Sequence, residues 1–281
     1  LALDFLPDEN YLFDLGIRST GVGEEAESRM VIRDEMRSEW GTVHAGLGVV
    51  LIDAVTGRLA VRAALPDLVA TSHISIQMGD TAREGVLIAR GRVLRRGRST
   101  IALEVTLEEA ALEEGGERRE VGFGCATFSI VPNTGDPGLA DRIAALGNAT
   151  VEMGGPQARL GAPYLSRIGL RVVDAARGVV EVDRSPYLQN HLGALQGGIV
   201  GTLIQAAAER AAAAACGGPR VALDLSIQYL ALGRVGPFRT RARVLRHNAH
   251  GAAVRVEVVD TGADDRFLAV AGVHCEPPPG A

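Results

Sequence analysis

The stretch ALQGGIVGTLIQAAAERAA, residues 194–212, shares its rhythm with TVHAGLGVVLIDAVTG, residues 42–57. Each is an apolar run with glycines near its start, and the pattern predicts a helix in both. Gln205 stands in the later stretch where the earlier one has Asp53. A separation of 152 residues relates Gly46 to Gly198 and also Asp53 to Gln205. At that offset Leu51-Ile52 falls on Leu203-Ile204, and Ala54 on Ala206. Upstream, LGIRS at 15 resembles IGLRV at 168; downstream, SIQM at 75 resembles SIQY at 226. Similarity before, within and after the helix marks the duplication of a whole domain.

The order of elements is shared as well. In the first half EEAESRMVIRDEM precedes the helix, and DLVATSHISIQMG, REGVLIARGRVLRRG, STIALEVTLEEA and REVGFGCATFSIV follow it. In the second half RGVVEVDRS precedes it, and RVALDLSIQYL, FRTRARVLRHN, GAAVRVEVVDTG and DRFLAVAGVHC follow. These segments are rich in Val, Ile, Leu and Thr and bounded by Gly, Asp or charged turns, so they are expected to be strands. Each half is thus one long helix against an antiparallel sheet, an α+β layer architecture. A join is expected in the Pro- and Gly-rich VPNTGDPG, residues 131–138, dividing the chain into 1–134 and 135–281.

Composition sets the outer limits. The chain has 281 residues, of which 47% are hydrophobic and 22% charged, room for two domains of ordinary size. A net charge of −5 gives no overall basic field for nucleic acid or an anionic membrane. No apolar run approaches the roughly 18 residues of a membrane span. The acidic start LALDFLPDENYLFDLG lacks the pattern of a signal peptide. Cys125, Cys216 and Cys275 are odd in number and form no CxxC pair, so buried thiols and a cytoplasmic location are expected. His247, His250 and His274 have no acidic or cysteine partners at ligand spacing, and no metal is expected.

The spacing within each helix constrains the chemistry. Gly46 and Asp53 are seven residues apart, which returns to almost the same helix face about 10.5 Å further along. Small residues on that face suit close packing of two helices. They also suit catalysis, because a glycine at a helix entrance exposes unpaired N–H groups that can hold an oxyanion. A carboxylate deeper in an apolar helix has a raised pKa and can serve as a general base. Donor and base must reach one carbonyl, so they have to come from different copies, meeting across a pseudo-two-fold interface.

NHLGALQGGIVGTLIQAA resembles the Asn-x5-His-Gly-Gly-x7-Asp signature of hotdog-fold thioesterases of the phenylacetyl-CoA thioesterase-like group. VHAGLGVVLID resembles the same signature, and VATSHISIQM resembles the strand that follows the helix. The resemblance covers nearly the whole chain and implies a tandem double hotdog, each helix wrapped by an antiparallel sheet. It implies an acyl-CoA thioesterase with sites at the interface and CoA only as part of the substrate. Further pairing of such chains into a homodimer is an expectation by analogy.

Carried over residue by residue, the resemblance is asymmetric. One site combines Asn190, Gly197 and Gly198 of the second half with Asp53 and Thr71 of the first, and departs from the signature only at Gln196, which replaces the family's His. There Asp53 would activate water or attack the thioester, the Gly198 N–H would hold the oxyanion, Asn190 would orient the carbonyl, and Thr71 the water or carboxylate. Gln196 would bond at the helix entrance. His191 is a candidate for lining that site, and Arg95, Arg96 and Arg98, in a predicted hairpin turn, suit the CoA phosphates. The other site combines Ser38, His44 and Gly46 with Gln205 and Ala222; lacking the Asn, the acid and the hydroxyl, it is expected to be degenerate. Glu209, one turn beyond Gln205, is either a solvated or paired group or a replacement base. Two other readings are open: a non-catalytic acyl-CoA-binding or structural double hotdog, and a hotdog hydratase. The Asp-x-Asn-Pro-x-His run of the hydratases is missing.

Overall fold

The computed structural model describes residues 9–113, 115–133, 138, 150–155, 158–190 and 192–279. The division expected at residue 134, and His191, lie outside the described residues.

The first half opens with a short helix α1 (Tyr11–Leu15) and strands β1 (Arg18–Val22) and β2 (Glu25–Val31). The long helix α2 (Ala45–Ala64) follows, then β3 (Leu68–Met78), β4 (Val86–Arg96), β5 (Thr100–Ala110) and β6 (Arg118–Val131). The second half repeats this: β7 (Val151–Glu152), α3 (Tyr164–Arg167), β8 (Arg171–Asp174), β9 (Val179–Val182), the long α4 (Gly197–Cys216), then β10 (Val221–Tyr229), β11 (Phe238–Asn248), β12 (Gly251–Asp260) and β13 (Arg266–Glu276). The helix α4 stops at Gly217, whose positive φ of 71° is the left-handed cap that glycine adopts without strain.

All strands join one antiparallel sheet, in the order β7-β1-β2-β4-β5-β6-β3-β10-β13-β12-β11-β9-β8. The halves meet where β3 pairs with β10, centred on Ser75 opposite Ser226. That pair marks a pseudo-two-fold axis. Each long helix lies on the inner face of its own half-sheet: Leu47, Leu51, Ile52 and Val55 of α2 share a buried core with Ile74, Ile76, Leu103 and Val105. The outer face of β3 and β10 carries polar residues, and His73 there meets Ser226 at 3.3 Å.

The two helices also pack on each other, antiparallel, through glycine. A methyl built on Gly198 would lie 2.5 Å from Val50 Cγ2 and 2.9 Å from Val50 Cα; one on Gly46 would lie 2.6 Å from Thr202 Oγ1 and 2.7 Å from Thr202 Cα. Gly201 meets Val49 in the same way. The glycines therefore let the two backbones approach, and this approach brings the entrance of each helix beside the middle of the other. Among the described residues no helix is long and apolar enough to cross a membrane.

Candidate functional site

The first cleft lies where the middle of α2 meets the entrance of α4. Asp53 stands so close to the first turn of α4 that a methyl on Gly197 would come within 3.0 Å of its Oδ2. Its Oδ1 accepts a hydrogen bond from the Thr71 hydroxyl at 3.1 Å. Burial lifts the Asp53 carboxyl to a pKa of about 6, against the pull of the Thr71 bond toward lower values. Part of its surface nevertheless remains accessible.

Thr71 reaches Asp53 because β3 is irregular. Thr71 pairs with Phe128 and His73 with Thr127, leaving Ser72 as an extra residue in the ladder. Without this bulge, strict alternation from Ile74 would put Ser72, not Thr71, on the inner face; the bulge re-aims the strand. A matching irregularity between Ala222 and Asp224 brings Ala222 to the equivalent place in β10.

The entrance of α4 offers donors. Ile199 and Val200 N–H both bond to the Gln196 carbonyl. Among the described residues the Gly197 and Gly198 N–H groups meet no acceptor. Unpaired first-turn N–H groups are the parts of a helix that stabilise an anion. Two tyrosines flank this turn. Tyr229, the last residue of β10, donates its hydroxyl to the Gly197 carbonyl at 3.0 Å. The Tyr11 hydroxyl lies 3.1 Å from where a Gly198 methyl would be. Burial first, and for both also the Asp53 charge, push these two phenols well above their ordinary pKa, so they remain protonated donors.

Asn190 sits in the loop before α4, and its Oδ1 accepts the Leu192 and Ala194 N–H at 2.9 and 3.1 Å. Its amide oxygen thus holds the loop, which leaves its amide nitrogen for any substrate contact. Ser38 does the same in the first half, accepting the Trp40 N–H and bonding Thr42 Oγ1. Gln196 is buried, precedes the first turn of α4, and donates from Nε2 to the Gln189 carbonyl at 3.5 Å. Arg95 and Arg96 end β4 and Arg98 lies in the turn to β5; Arg96 bonds the Ala63 carbonyl at the end of α2. Register runs from Arg96 to Ile101, to Phe128, to Thr71, so this hairpin shares the Thr71 end of the sheet. Three strand spacings put it roughly 14 Å away.

The second cleft has the same frame with other contents. Gln205 occupies the place of Asp53, and its Oε1 accepts the Gly46 N–H at 2.8 Å. Its Nε2 donates to His44 Nδ1 at 3.1 Å and to Glu209 Oε1 at 2.9 Å. Glu209 also accepts the Ala222 N–H at 3.0 Å, so a backbone amide stands where the first cleft has the Thr71 hydroxyl. Burial raises Glu209 to about 7 and lowers His44 to about 4, so His44 is neutral, and accepting the Gln205 amide hydrogen at Nδ1 leaves its own proton on Nε2. Tyr164, the counterpart of Tyr11, bonds Thr202 Oγ1 at 2.8 Å. Glu209 is therefore a paired, mostly buried group. Among the described residues no three His, Cys, Asp or Glu side chains gather as metal ligands.

Sequence reasoning missed the tyrosines. A signal for two of them was present, since Tyr11 and Tyr164 each stand four residues before the repeated LGIRS and IGLRV. Tyr229 is the one letter in which SIQY differs from SIQM.

The sequence profile of the thioesterase superfamily matches residues 41–114 and again 192–265, together more than half of the chain. Each match contains one long helix. An acyl-ACP thioesterase from Bacteroides thetaiotaomicron superposes with a TM-score of 0.57 over 90% of this chain and 98% of its own, at 11% identity. The tesB protein of Mycobacterium avium subsp. paratuberculosis superposes with a TM-score of 0.58 over 96% and 98%, at 12% identity. At these identities the likeness is one of fold. No curated protein matches the chain significantly by sequence. Two profile matches in one continuous sheet, each on a helix wrapped by its own strands, make this chain a member of the thioesterase superfamily built as a tandem double hotdog.

Proposed function

We propose that the protein hydrolyses acyl-CoA thioesters at one site per chain, the cleft between Asp53 and the entrance of α4. The observation that carries this reading is the meeting of a carboxylate from one half with the unpaired first-turn N–H groups of the other. With a pKa of about 6, Asp53 is ionised near neutral pH and still basic enough to accept a proton. It takes a proton from water as the water oxygen bonds to the thioester carbon. The carbonyl oxygen becomes an oxyanion held by the Gly198 N–H, with the Gly197 N–H beside it. Collapse breaks the C–S bond, and the thiolate recovers the proton from Asp53. Thr71 orients the carboxylate, and Gln196 and Asn190 shape the entrance. The Arg95, Arg96 and Arg98 hairpin supplies cations for the CoA phosphates at a distance suited to the length of the CoA arm.

The test is thiol release from a panel of acyl-CoAs, followed with a disulfide dye. Asp53→Asn keeps the shape and removes the base; turnover should fall by at least about 10², the scale of one essential hydrogen-bonding or proton-transfer role. Tight acyl-CoA binding without turnover in the wild type would replace this reading with a binding protein. Acyl-ACP hydrolysis in place of acyl-CoA would keep the chemistry and change the carrier.

A further inference from the structure

We infer that Tyr229 is a positioning residue for the oxyanion-binding peptide; the inference rests on the reading just given. The Gly197 carbonyl and the Gly198 N–H belong to the same peptide group. The Tyr229 hydroxyl donates to that carbonyl at 3.0 Å. As the first residue of α4, Gly197 also offers its carbonyl to the helix's own N–H four residues on. Two donors on one carbonyl oxygen draw electron density from the peptide and strengthen its N–H as a donor, while fixing the plane in which that N–H points. The missing side chain at 197 makes room for the carboxylate rather than for the ring: a methyl would press on Asp53 Oδ2 at 3.0 Å but meet the ring edge in ordinary contact at 3.6 Å.

The other half supplies an internal control. In the repeat SIQM/SIQY, Met78 is the counterpart of Tyr229, and a thioether cannot donate. There the equivalent amide, Gly46 N–H, is already closed by Gln205. The hydroxyl is thus present beside the open amide and absent beside the closed one. Burial keeps the phenol protonated.

The experiment is Tyr229→Phe in the full chain, with Asp53→Asn and Met78→Leu in parallel. Polarisation strengthens a bond by about 10–30%, and one oxyanion donor is worth about 10²–10³ in rate, so kcat should fall about two- to eightfold. KM should stay unchanged. Met78→Leu should leave kcat unaltered. In the ¹⁵N-labelled protein the Gly198 amide proton should move upfield in Tyr229→Phe while the Gly46 amide proton stays in place. That resonance reads the hydrogen-bonded peptide without reference to turnover, so it tests Tyr229 even if Asp53→Asn shows the hydrolase reading to be wrong. An unmoved Gly198 resonance, an unchanged kcat, or a raised KM at constant kcat would each overturn the positioning role.

Discussion

Replacing Gln205 by alanine should separate stability from activity. The side chain joins three buried groups: the Gly46 N–H, His44 Nδ1 and Glu209 Oε1. Alanine leaves Glu209 with the Ala222 N–H, but Gly46 N–H and His44 Nδ1 lose the partners described for them. A buried polar group stripped of its partner costs about 1–3 kcal/mol, so the two together cost about 2–6 kcal/mol, toward the lower end if water fills the vacated space. At roughly 2–4 °C per kcal/mol, Tm should fall by about 5 °C or more. Turnover should stay close to wild type, because no part of the Asp53 cleft is touched. Asp53→Asn should do the reverse. The Asp53 pKa is raised from 3.8 to about 6, so the folded state resists ionisation. Stability from this group is fully present below about pH 4 and is lost as pH rises through 6, up to about 3 kcal/mol. At pH 8 the asparagine variant should therefore match or exceed the wild type in Tm while losing turnover. Differential scanning fluorimetry beside a thiol-release assay measures both. Equal loss of activity from Gln205→Ala and Asp53→Asn would refute the one-site reading. An unchanged Tm in Gln205→Ala would refute the hydrogen-bonded closure of the second cleft.

With Asp53 as base, kcat/KM should rise with pH around a midpoint near 6. Thr71→Val removes the bond that favours the ionised form, so the midpoint should move upward; Thr71→Ser should restore it. Gly198→Ala drives a methyl into the α2 backbone at Val50 and should cost about 1–3 kcal/mol, although alanine favours a helix by nearly 1 kcal/mol. Gly57→Ala, where the added methyl meets nothing within 4 Å, should be neutral or stabilising by chemical denaturation, and a destabilised Gly57 variant would contradict the packing described.

Much of this arrangement is legible in the sequence for definite reasons. Two identical offsets, one from Gly46 to Gly198 and one from Asp53 to Gln205, carry the duplication, and the rise of a helix forces carboxylate and glycine onto opposite partners. What escapes is whatever depends on strand irregularity or burial. Thr71 is reached through the family resemblance and not through strand alternation: its inward aim depends on the extra residue Ser72, and a single sequence carries no mark of a bulge there. The state of Glu209 depends on whether solvent reaches one turn beyond Gln205. Helical spacing brings the two side chains together, but only the packed β10 edge supplies the Ala222 N–H that completes the pair. Asn190 shows what a motif leaves unsaid: the position matches, and the packed loop adds that its amide oxygen holds the Leu192 and Ala194 N–H groups, leaving the amide nitrogen as the group that could face a substrate.

On the proposed reading, the contrast between the clefts follows from what an oxyanion hole costs at rest. Its donors must stay free of protein acceptors, so a resting site carries buried N–H groups that an ordinary helix entrance would satisfy. Two identical hotdogs related by true symmetry have to carry that cost twice, because one sequence writes both clefts. Joining the halves in one chain removes the constraint. The Gly46 entrance can then be closed by Gln205, with His44 and Glu209 completing its bonds, while Gly197 and Gly198 remain open. A carboxylate could not close it equally well. Asp53 lacks the amide hydrogens that Gln205 donates to His44 and Glu209, and a second ionised group beside Glu209 would add like-charge repulsion in a desolvated place. The amide at 205 is thus the side chain that makes the second cleft a hydrogen-bonded seam between the two halves where the first holds the proposed reaction centre.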